Sequence, residues 1–166
     1  DLEPPIGVSI SYTLDGKEVS AKELEGKSGE LQIQYKFKNN ARTKGHDFVP
    51  FIVLGGFILD DETFKNVQVD NGKVVDYDES NIVMGYSVPG LGDYLHNTFK
   101  DAHEYLNKID LPDQFTISAD VEDCAMSMGL LIATSNIGSF NIKDSIDFSN
   151  IKTGNDYLRE RSNLID

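Results

Sequence analysis

The stretch LQIQYKFK, residues 31–38, decides the fold class of this chain. Its apolar side chains fall at every second position from Leu31 to Phe37, and polar side chains stand between them. Because successive side chains of a β-strand point to opposite faces, this period predicts a half-buried strand with one wet face, typical of antiparallel sheets. The same alternation occurs in VSISYTL at 8–14 and FTISADV at 115–121, and more loosely at 82–88.

The segment VPFIVLGGFIL, residues 49–59, is nearly all apolar. It predicts a strand that is buried on both faces and is bent or bulged at the pair Gly55-Gly56. Pro50 indicates either an edge position or a strand that begins near that residue.

Turn signals separate the predicted strands. Asn71-Gly72 stands between two valine-rich runs and is the strongest short signal for a type I′ hairpin, while Asp15-Gly16 predicts a second turn. Beyond residue 121 the apolar residues move from odd positions to the even positions 126, 128, 130 and 132. This change of parity predicts a tight turn or bulge at Glu122-Asp123.

Two segments have helical signals. Ser20 can cap a short turn that ends at Glu25, with Glu23 three residues after the cap. Residues 91–109 form a longer predicted helix, because apolar residues recur at spacings of three and four and give one stripe. The tail from 141 to 166 is mostly polar and predicts a weak helix or disorder, or the start of a helical stalk.

Seven to nine strands with one inserted helix predict a mainly β fold, a two-layer antiparallel sandwich that is broadly immunoglobulin-like. The cysteine and tryptophan landmarks of antibody domains are absent, since the chain has one Cys and no Trp. We expect the sandwich domain to cover residues 1–140, followed by the tail at 141–166.

The composition is acidic, with 28 Asp and Glu against 15 Lys and Arg among 166 residues, a formal charge of −13. This charge argues against binding to nucleic acid or anionic lipid and favours cationic partners or divalent metal ions. Cys124 is the only cysteine, so no intrachain disulfide can form, and we expect it to be a small apolar residue in a strand.

The sequence contains no run of 18 apolar residues and no signal peptide. The lead-in at 1–5 and the polar end at Asp166 resemble cuts in a longer protein. The absence of a signal peptide therefore says little about the location of the protein.

No catalytic constellation is visible, and we expect that the chain is not an enzyme. It has no Gly-x-Ser-x-Gly elbow, no P-loop and no dinucleotide-binding glycine motif. His96 and His103 share a face of the predicted helix, but a zinc site needs further ligands and a solvated helix face is the favoured interpretation. Pairs of carboxylates are expected everywhere in a chain this acidic, so they do not indicate glycosidase chemistry.

Calcium is the one metal ion for which the sequence leaves a binding site possible. Asp76, Asp78 and Ser80 resemble the start of an EF-hand loop, but the sixth and twelfth positions are Asn and Ser instead of Gly and Glu. An irregular loop site remains an alternative, built from Asp60, Asp61 and Glu62 or from Asp76, Asp78 and Glu79. Carbohydrate binding is a further alternative, although no Trp is available as a stacking platform.

Several stretches taken in order resemble a known family. They are VSISYTLDGKEV at 8–19, ELEGKSG at 23–29, VPF at 49–51, FKNV at 64–67, NGKV at 71–74, PGL at 89–91 and LPDQFTISADV at 111–121. The series resembles the extracellular β-rich domain of uncharacterised envelope proteins of Gram-positive bacteria, which have Leu-x-x-Gly heptad repeats and are similar to phage-infection-protein-like membrane proteins. No such heptad follows Asn136, which departs from the family pattern.

The resemblance implies a location on the extracellular face of the cell envelope, with membrane tethering only through segments absent from this chain. We expect a non-enzymatic binding or structural module with a protein partner at the cell surface, contacted through the loop at 39–47 and the helix at 91–109, because contacts concentrate in such insertions. The alternative is a calcium- or carbohydrate-binding module of the same fold.

Overall fold

The computed structural model of the chain describes residues 4–125 and 127–135, and these residues form nine strands and three short helices. The helices are α1 (Ala21–Leu24), α2 (Leu91–Thr98) and α3 (His103–Leu106), with a single 3-10 turn at Lys100–Ala102. In chain order the strands are β1 (Ile6–Leu14), β2 (Lys17–Val19), β3 (Gly29–Asn39), β4 (Ile52–Asp60), β5 (Phe64–Val69), β6 (Gly72–Tyr77), β7 (Ser80–Ser87), β8 (Gln114–Val121) and β9 (Met128–Thr134).

The strands form two antiparallel sheets that pack face to face. The first sheet has the order β2-β1-β3-β8-β5, and the second has the order β6-β7-β4-β9. The prediction of a mainly β, two-layer antiparallel sandwich is therefore confirmed, and the three segments with strict alternation are β1, β3 and β8. This arrangement does not confirm the immunoglobulin-like part of the prediction.

An aromatic cluster fills the space between the sheets. The Phe115 ring is fully buried, and its centroid lies 5.0 Å from that of Tyr35 and 6.1 Å from that of Phe57. Gly55 and Gly85 give this ring its room, since a Cβ at either position would lie 2.6–2.8 Å from atoms of Phe115. Gly55 in β4 and Gly85 in β7 therefore allow close packing between the layers.

The pairing of β4 differs from the prediction. Its register with β7 and with β9 runs through Gly55-Gly56 without a shift, so the predicted bulge is wrong. β4 lies between two partners and begins at Ile52, two residues after Pro50. Pro50 thus marks the start of the strand and not an edge position.

Asn71-Gly72 does not form a hairpin, so that prediction is wrong. β5 pairs with β8 in the first sheet and β6 pairs with β7 in the second, so the two residues carry the chain from one sheet to the other. The Asn71 side chain donates to the Gln114 carbonyl at 2.9 Å, and the Asn71 carbonyl accepts from the Tyr86 N–H at 3.0 Å. The turn at Asp15-Gly16 is confirmed, with both residues at positive φ between β1 and β2.

The parity of β9 is opposite to the prediction. Leu131 is buried against the core, whereas Met128 is 47% exposed, so the odd positions point inward. A turn at Glu122-Asp123 is present, with Asp123 at φ 50°. Cys124 follows this turn and is buried as expected, but it lies outside any strand.

The predicted helix at 91–109 is broken at Phe99, whose ψ of 68° lies outside the helical range. Asn97 and Thr98, which precede the break, favour helix poorly. Of the predicted stripe, Leu106 is buried, while Phe99 and Ile109 are more than half exposed.

The short turn after Ser20 is confirmed. Ser20 Oγ accepts from the Glu23 N–H at 3.1 Å, and Glu23 Oε1 accepts from the Ser20 N–H at 3.4 Å. The predicted tail at 141–166 lies outside the described residues. Among residues 4–125 and 127–135, no helix is long and apolar enough to cross a membrane.

Candidate binding surfaces

The two acidic segments that the sequence offered for calcium lie side by side. The turn after β4 and the turn between β6 and β7 meet where the Asp61 N–H donates to the Glu79 carbonyl at 3.0 Å. The Asn81 side chain donates to Asp61 Oδ1 at 2.9 Å, and Asp60 Oδ1 accepts from the Thr63 N–H at 2.8 Å. These bonds give the Asp60 and Asp61 carboxylates structural roles in the two turns.

The arrangement does not gather ligands for a metal ion. Within the described ranges, no group of three or more His, Cys, Asp or Glu side chains is placed so that it could hold one. Glu62, Asp76 and Asp78 are exposed to solvent. Since calcium takes six to eight oxygen ligands, the five predicted carboxylates do not form a ready site, and calcium binding stays a prediction.

His96 and His103 lie together, although not on one continuous helix. The break at Phe99 brings α3 back toward α2, and the two Nδ1 atoms are 3.1 Å apart. Which ring donates in this contact depends on the tautomers of the two histidines. The pair makes a polar contact between α2 and α3 across the break. In the described part of the chain it belongs to no larger group of side chains that could hold a metal ion.

The loop before β4 and helix α2, which the sequence singled out as insertions, meet in one groove. This loop–helix groove has a volume of about 440 Å³. Its lining residues come from the end of β3, the loop and α2: Asn39, Arg42, His46, Asp47, Phe48, Gly90, Asp93, Tyr94 and Asn97.

Aromatic stacking fixes the floor of the loop–helix groove. The rings of Phe48 and Tyr94 stack with their centroids 4.7 Å apart, and the Arg42 guanidinium carbon lies 5.5 Å from the Phe48 centroid. The Arg42 side chain is held because its Nη1 donates to the Ala41 carbonyl at 2.6 Å. Stacked rings next to a guanidinium form a surface that binds flat or acidic groups.

Hydrogen bonds hold the loop in place. The Thr43 N–H donates to the Asp47 carbonyl at 2.9 Å, and the His46 N–H donates to the Thr43 carbonyl at 2.8 Å. Asn39 is buried, and its side chain donates to the Val49 carbonyl at 2.8 Å. The loop is therefore an ordered part of the surface, held at both of its ends.

A second groove lies on the outer face of the first sheet and was missed by sequence reasoning. One row of cross-strand neighbours on β1, β3, β8 and β5 consists of Thr13, Gln32, Ser118 and Gln68. This polar row lines a groove of about 360 Å³. The polar positions of each alternating strand were the part of the sequence that could have indicated this groove. The row can be recognised only when the registers of the four strands are known.

A scan against models of protein families, a search of curated proteins and a search of solved structures each gave no match. The fold and its surfaces define a two-sheet β-sandwich with one loop–helix groove and one polar sheet groove. The family resemblance of the sequence stays a prediction.

Proposed function

We propose that this chain is a non-enzymatic binding or structural module of a membrane-tethered Gram-positive surface protein, and that it contacts a protein partner through the loop–helix groove. The observation that carries the proposal is the convergence of the loop and α2, which are distant in sequence, through the stacked Phe48 and Tyr94 rings. Insertions held rigidly on a β scaffold are the usual place of recognition.

The chemistry of the groove favours a protein segment over other ligands. Stacked aromatic rings and an adjacent arginine are the residue types enriched in interface hot spots. Asp47 and Asp93 line the groove together with Arg42, so the groove offers charges of both signs to a partner. Nucleic acid is disfavoured by the net charge of −13.

Photo-crosslinking from the groove tests the contact. A benzophenone amino acid is placed at Asn97, in the groove, or at Lys17, on edge strand β2, in the full-length protein in its own cells. The expected result is a crosslinked species from Asn97 that weakens with Arg42→Ala and is absent from Lys17. A crosslink pattern that is the same from both positions, or that ignores Arg42→Ala, contradicts the proposal.

Cysteine labelling tests the extracellular location. Cys124 is buried, and burial together with the nearby Glu25 and Asp123 carboxylates raises the pKa of its thiol, so it reacts slowly in the folded state. Lys44→Cys places a thiol on the exposed loop. A membrane-impermeant maleimide should label this variant in intact cells and leave the parent protein unlabelled. Labelling only after cell lysis would place the domain inside the cell.

The polar row on the first sheet favours carbohydrate binding as a second candidate function. Thr13, Gln32, Ser118 and Gln68 offer uncharged donors and acceptors suited to sugar hydroxyls. Calorimetric titration with soluble cell-wall glycan fragments tests it. Gln32→Ala with Gln68→Ala should abolish the heat of binding, whereas Ser9→Ala should preserve it. Titrations without heat for the parent chain remove this candidate.

A further inference from the structure

His96 and His103 bring two ring nitrogens together at the surface of the molecule. Their Nδ1 atoms are 3.1 Å apart, and their ring centroids are 4.8 Å apart. His103 is exposed and His96 is half-buried, so the contact between the rings lies in reach of solvent. Neither ring lines the loop–helix groove, so the proposed function does not use this pair.

The break in the helix at Phe99 creates the contact between the two rings. On one continuous helix, residues seven positions apart are separated by about 10.5 Å along the axis. Nδ1 is the ring nitrogen nearer the backbone, so a straight helix would hold these two atoms well beyond contact. In the structure, α2 ends at Thr98, a 3-10 turn follows at Lys100–Ala102, and α3 begins at His103 itself. The turn therefore brings together two imidazoles that a straight helix would keep apart.

The distance between the two Nδ1 atoms fits a shared metal ion. Imidazole nitrogens bind zinc at about 2.0–2.1 Å, so two of them on one ion are about 2.9 Å apart at a right angle and about 3.3–3.4 Å apart at the tetrahedral angle. The observed 3.1 Å lies between these two values. The two rings are therefore spaced as neighbouring ligands of one ion need to be.

We propose that His96 and His103 bind one divalent transition-metal ion through their Nδ1 atoms, with copper(II) bound most tightly, and that the ion holds α3 against α2. Each ring is then neutral, with its proton on Nε2 and the lone pair of Nδ1 directed at the ion. Imidazole suits both copper and zinc, and copper(II) binds most tightly among the first-row divalent ions.

Water completes the coordination shell of this ion. In the described part of the chain, no third His, Cys, Asp or Glu side chain joins the two rings in a group that could hold a metal. Structural zinc sites use four protein ligands. We therefore expect an ion that exchanges with solvent and binds more weakly than a structural zinc ion.

The charge around the pair attracts cations. Residues 93–104 carry three carboxylates, at Asp93, Asp101 and Glu104, against one lysine. All three carboxylates are exposed, and the whole chain has a formal charge of −13. A negative potential at a surface raises the local concentration of divalent cations, so the pair lies where such an ion is enriched.

Titration of the untagged 166-residue chain with copper(II) tests the proposal, with calorimetry and electron paramagnetic resonance as readouts. The expected spectrum shows hyperfine coupling to two imidazole nitrogens. His96→Gln and His103→Gln should each raise the copper(II) dissociation constant by about tenfold or more, because the second ring adds its contact at a high effective concentration. His46→Gln, at the third histidine of the chain, is the matched control and should change neither readout.

Hydrogen exchange followed by mass spectrometry tests whether the ion holds the two helices together. Saturating copper(II) should slow exchange at the Phe99 and Asn107 N–H groups, whose bonds to the Leu95 and His103 carbonyls end α2 and α3. The double variant His96→Gln with His103→Gln should show no slowing.

Three outcomes overturn the proposal. Coupling to a single imidazole nitrogen would mean that the two rings only hydrogen-bond to each other. A double variant that binds copper(II) as tightly as the parent chain would place the ion elsewhere. Unchanged exchange with copper(II) bound would mean that the ion does not hold α3 against α2. None of these measurements depends on the loop–helix groove, so each result leaves the proposed function unaffected.

Discussion

Phe115 lies at the centre of the contact between the two sheets, and two glycines of the second sheet make room for its ring. A Cβ at Gly85 would lie 2.6 Å from Phe115 Cδ1 and 2.7 Å from Cγ, both near the fixed end of the side chain. The ring has little room to move away, because Tyr35 stacks against it and Phe57 packs against it edge to face. We predict that Gly85→Ala lowers the free energy of unfolding by about 1–3 kcal/mol, the range for overpacking a core.

Gly92→Ala is the matched control in a urea titration. A Cβ at Gly92 meets Leu111 at an ordinary 3.7 Å, and alanine favours helix over glycine. The control should therefore leave stability unchanged or raise it by up to about 1 kcal/mol. An equal loss of unfolding free energy in both variants would mean that the packing of the Phe115 ring does not require a glycine at position 85.

Tyr35 gives the fold a dependence on alkaline pH. Its burial, with the smaller effect of Tyr12, raises the pKa of the Tyr35 hydroxyl far above the ordinary 10.0. The folded state therefore holds this proton more tightly than the unfolded state. The resulting stability is fully present below pH 10 and is lost as the pH rises above it, by about 1.4 kcal/mol per pH unit.

Urea titrations between pH 9 and pH 11 measure this dependence. We predict that the free energy of unfolding falls more steeply above pH 10 in the parent chain than in Tyr35→Phe, which has no proton to lose there. Tyr77→Phe, at a residue that is 66% exposed, should keep the parent slope. Equal slopes for all three chains would mean that Tyr35 ionises in the folded state as it does in water.

The residues that point into the core could largely be predicted from alternation alone. Leu31, Tyr35 and Phe37 are all buried, as the period of two in β3 requires. The role of Gly85 could not be predicted, because its partner Phe115 lies 30 positions away and on the other sheet. A contact of that kind is decided by layer packing, which leaves no mark in the local sequence.

Elements with one repeated signal were predictable, but a predicted turn did not always join paired strands: Asp15-Gly16 does, and Asn71-Gly72 does not. Asn-Gly marks a tight turn reliably, but the turn itself does not decide whether its two strands pair. At Asn71 the chain crosses between sheets, and its side chain and main chain bond to Gln114 on one sheet and Tyr86 on the other. These hydrogen bonds, made to strands that are distant in sequence, hold the chain in its crossing between the sheets.

Asn71→Ala tests the importance of that crossing. The substitution removes the donor to the partly buried Gln114 carbonyl, and we predict a loss of about 1–2 kcal/mol in the free energy of unfolding. Asn97→Ala, at an exposed site of α2, is the control and should cost nothing. The idea fails if urea titrations give the two variants the same stability.

At the scale of the molecule, the described residues bring two segments that are distant in sequence into the loop–helix groove, and this organisation depends on contacts that no local pattern contains. Arg42 lay in the predicted contact loop at 39–47, Phe48 followed that loop, and Tyr94 lay in the predicted helix at 91–109 but outside its apolar stripe. The sandwich brings them together because β3 and β7 end close to the point where β4 begins. The Asn39 side chain donates to the Val49 carbonyl, and the Gly90 N–H donates to Asp113 Oδ1. The candidate site could therefore be predicted as two segments but not as one surface.

The net charge of −13 also acts on the molecule as a whole. Repulsion among like charges destabilises a compact state, and salt screens it, since the Debye length falls from about 30 Å at 0.01 M to about 8 Å at 0.15 M. We predict that the melting temperature rises with sodium chloride over this range. Replacing the exposed Glu62, Glu79 and Glu104 by glutamine should make the rise smaller, because the variant carries less negative charge.

The same melts separate general screening from a calcium site. A specific ion bound only by the folded state raises the melting temperature beyond what ionic strength explains. Because the described residues contain no group of three or more metal-ligating side chains, calcium chloride and sodium chloride at equal ionic strength should give equal shifts. An excess shift with calcium that disappears in Asp60→Asn with Asp61→Asn would contradict this prediction and assign the ion to the paired acidic turns.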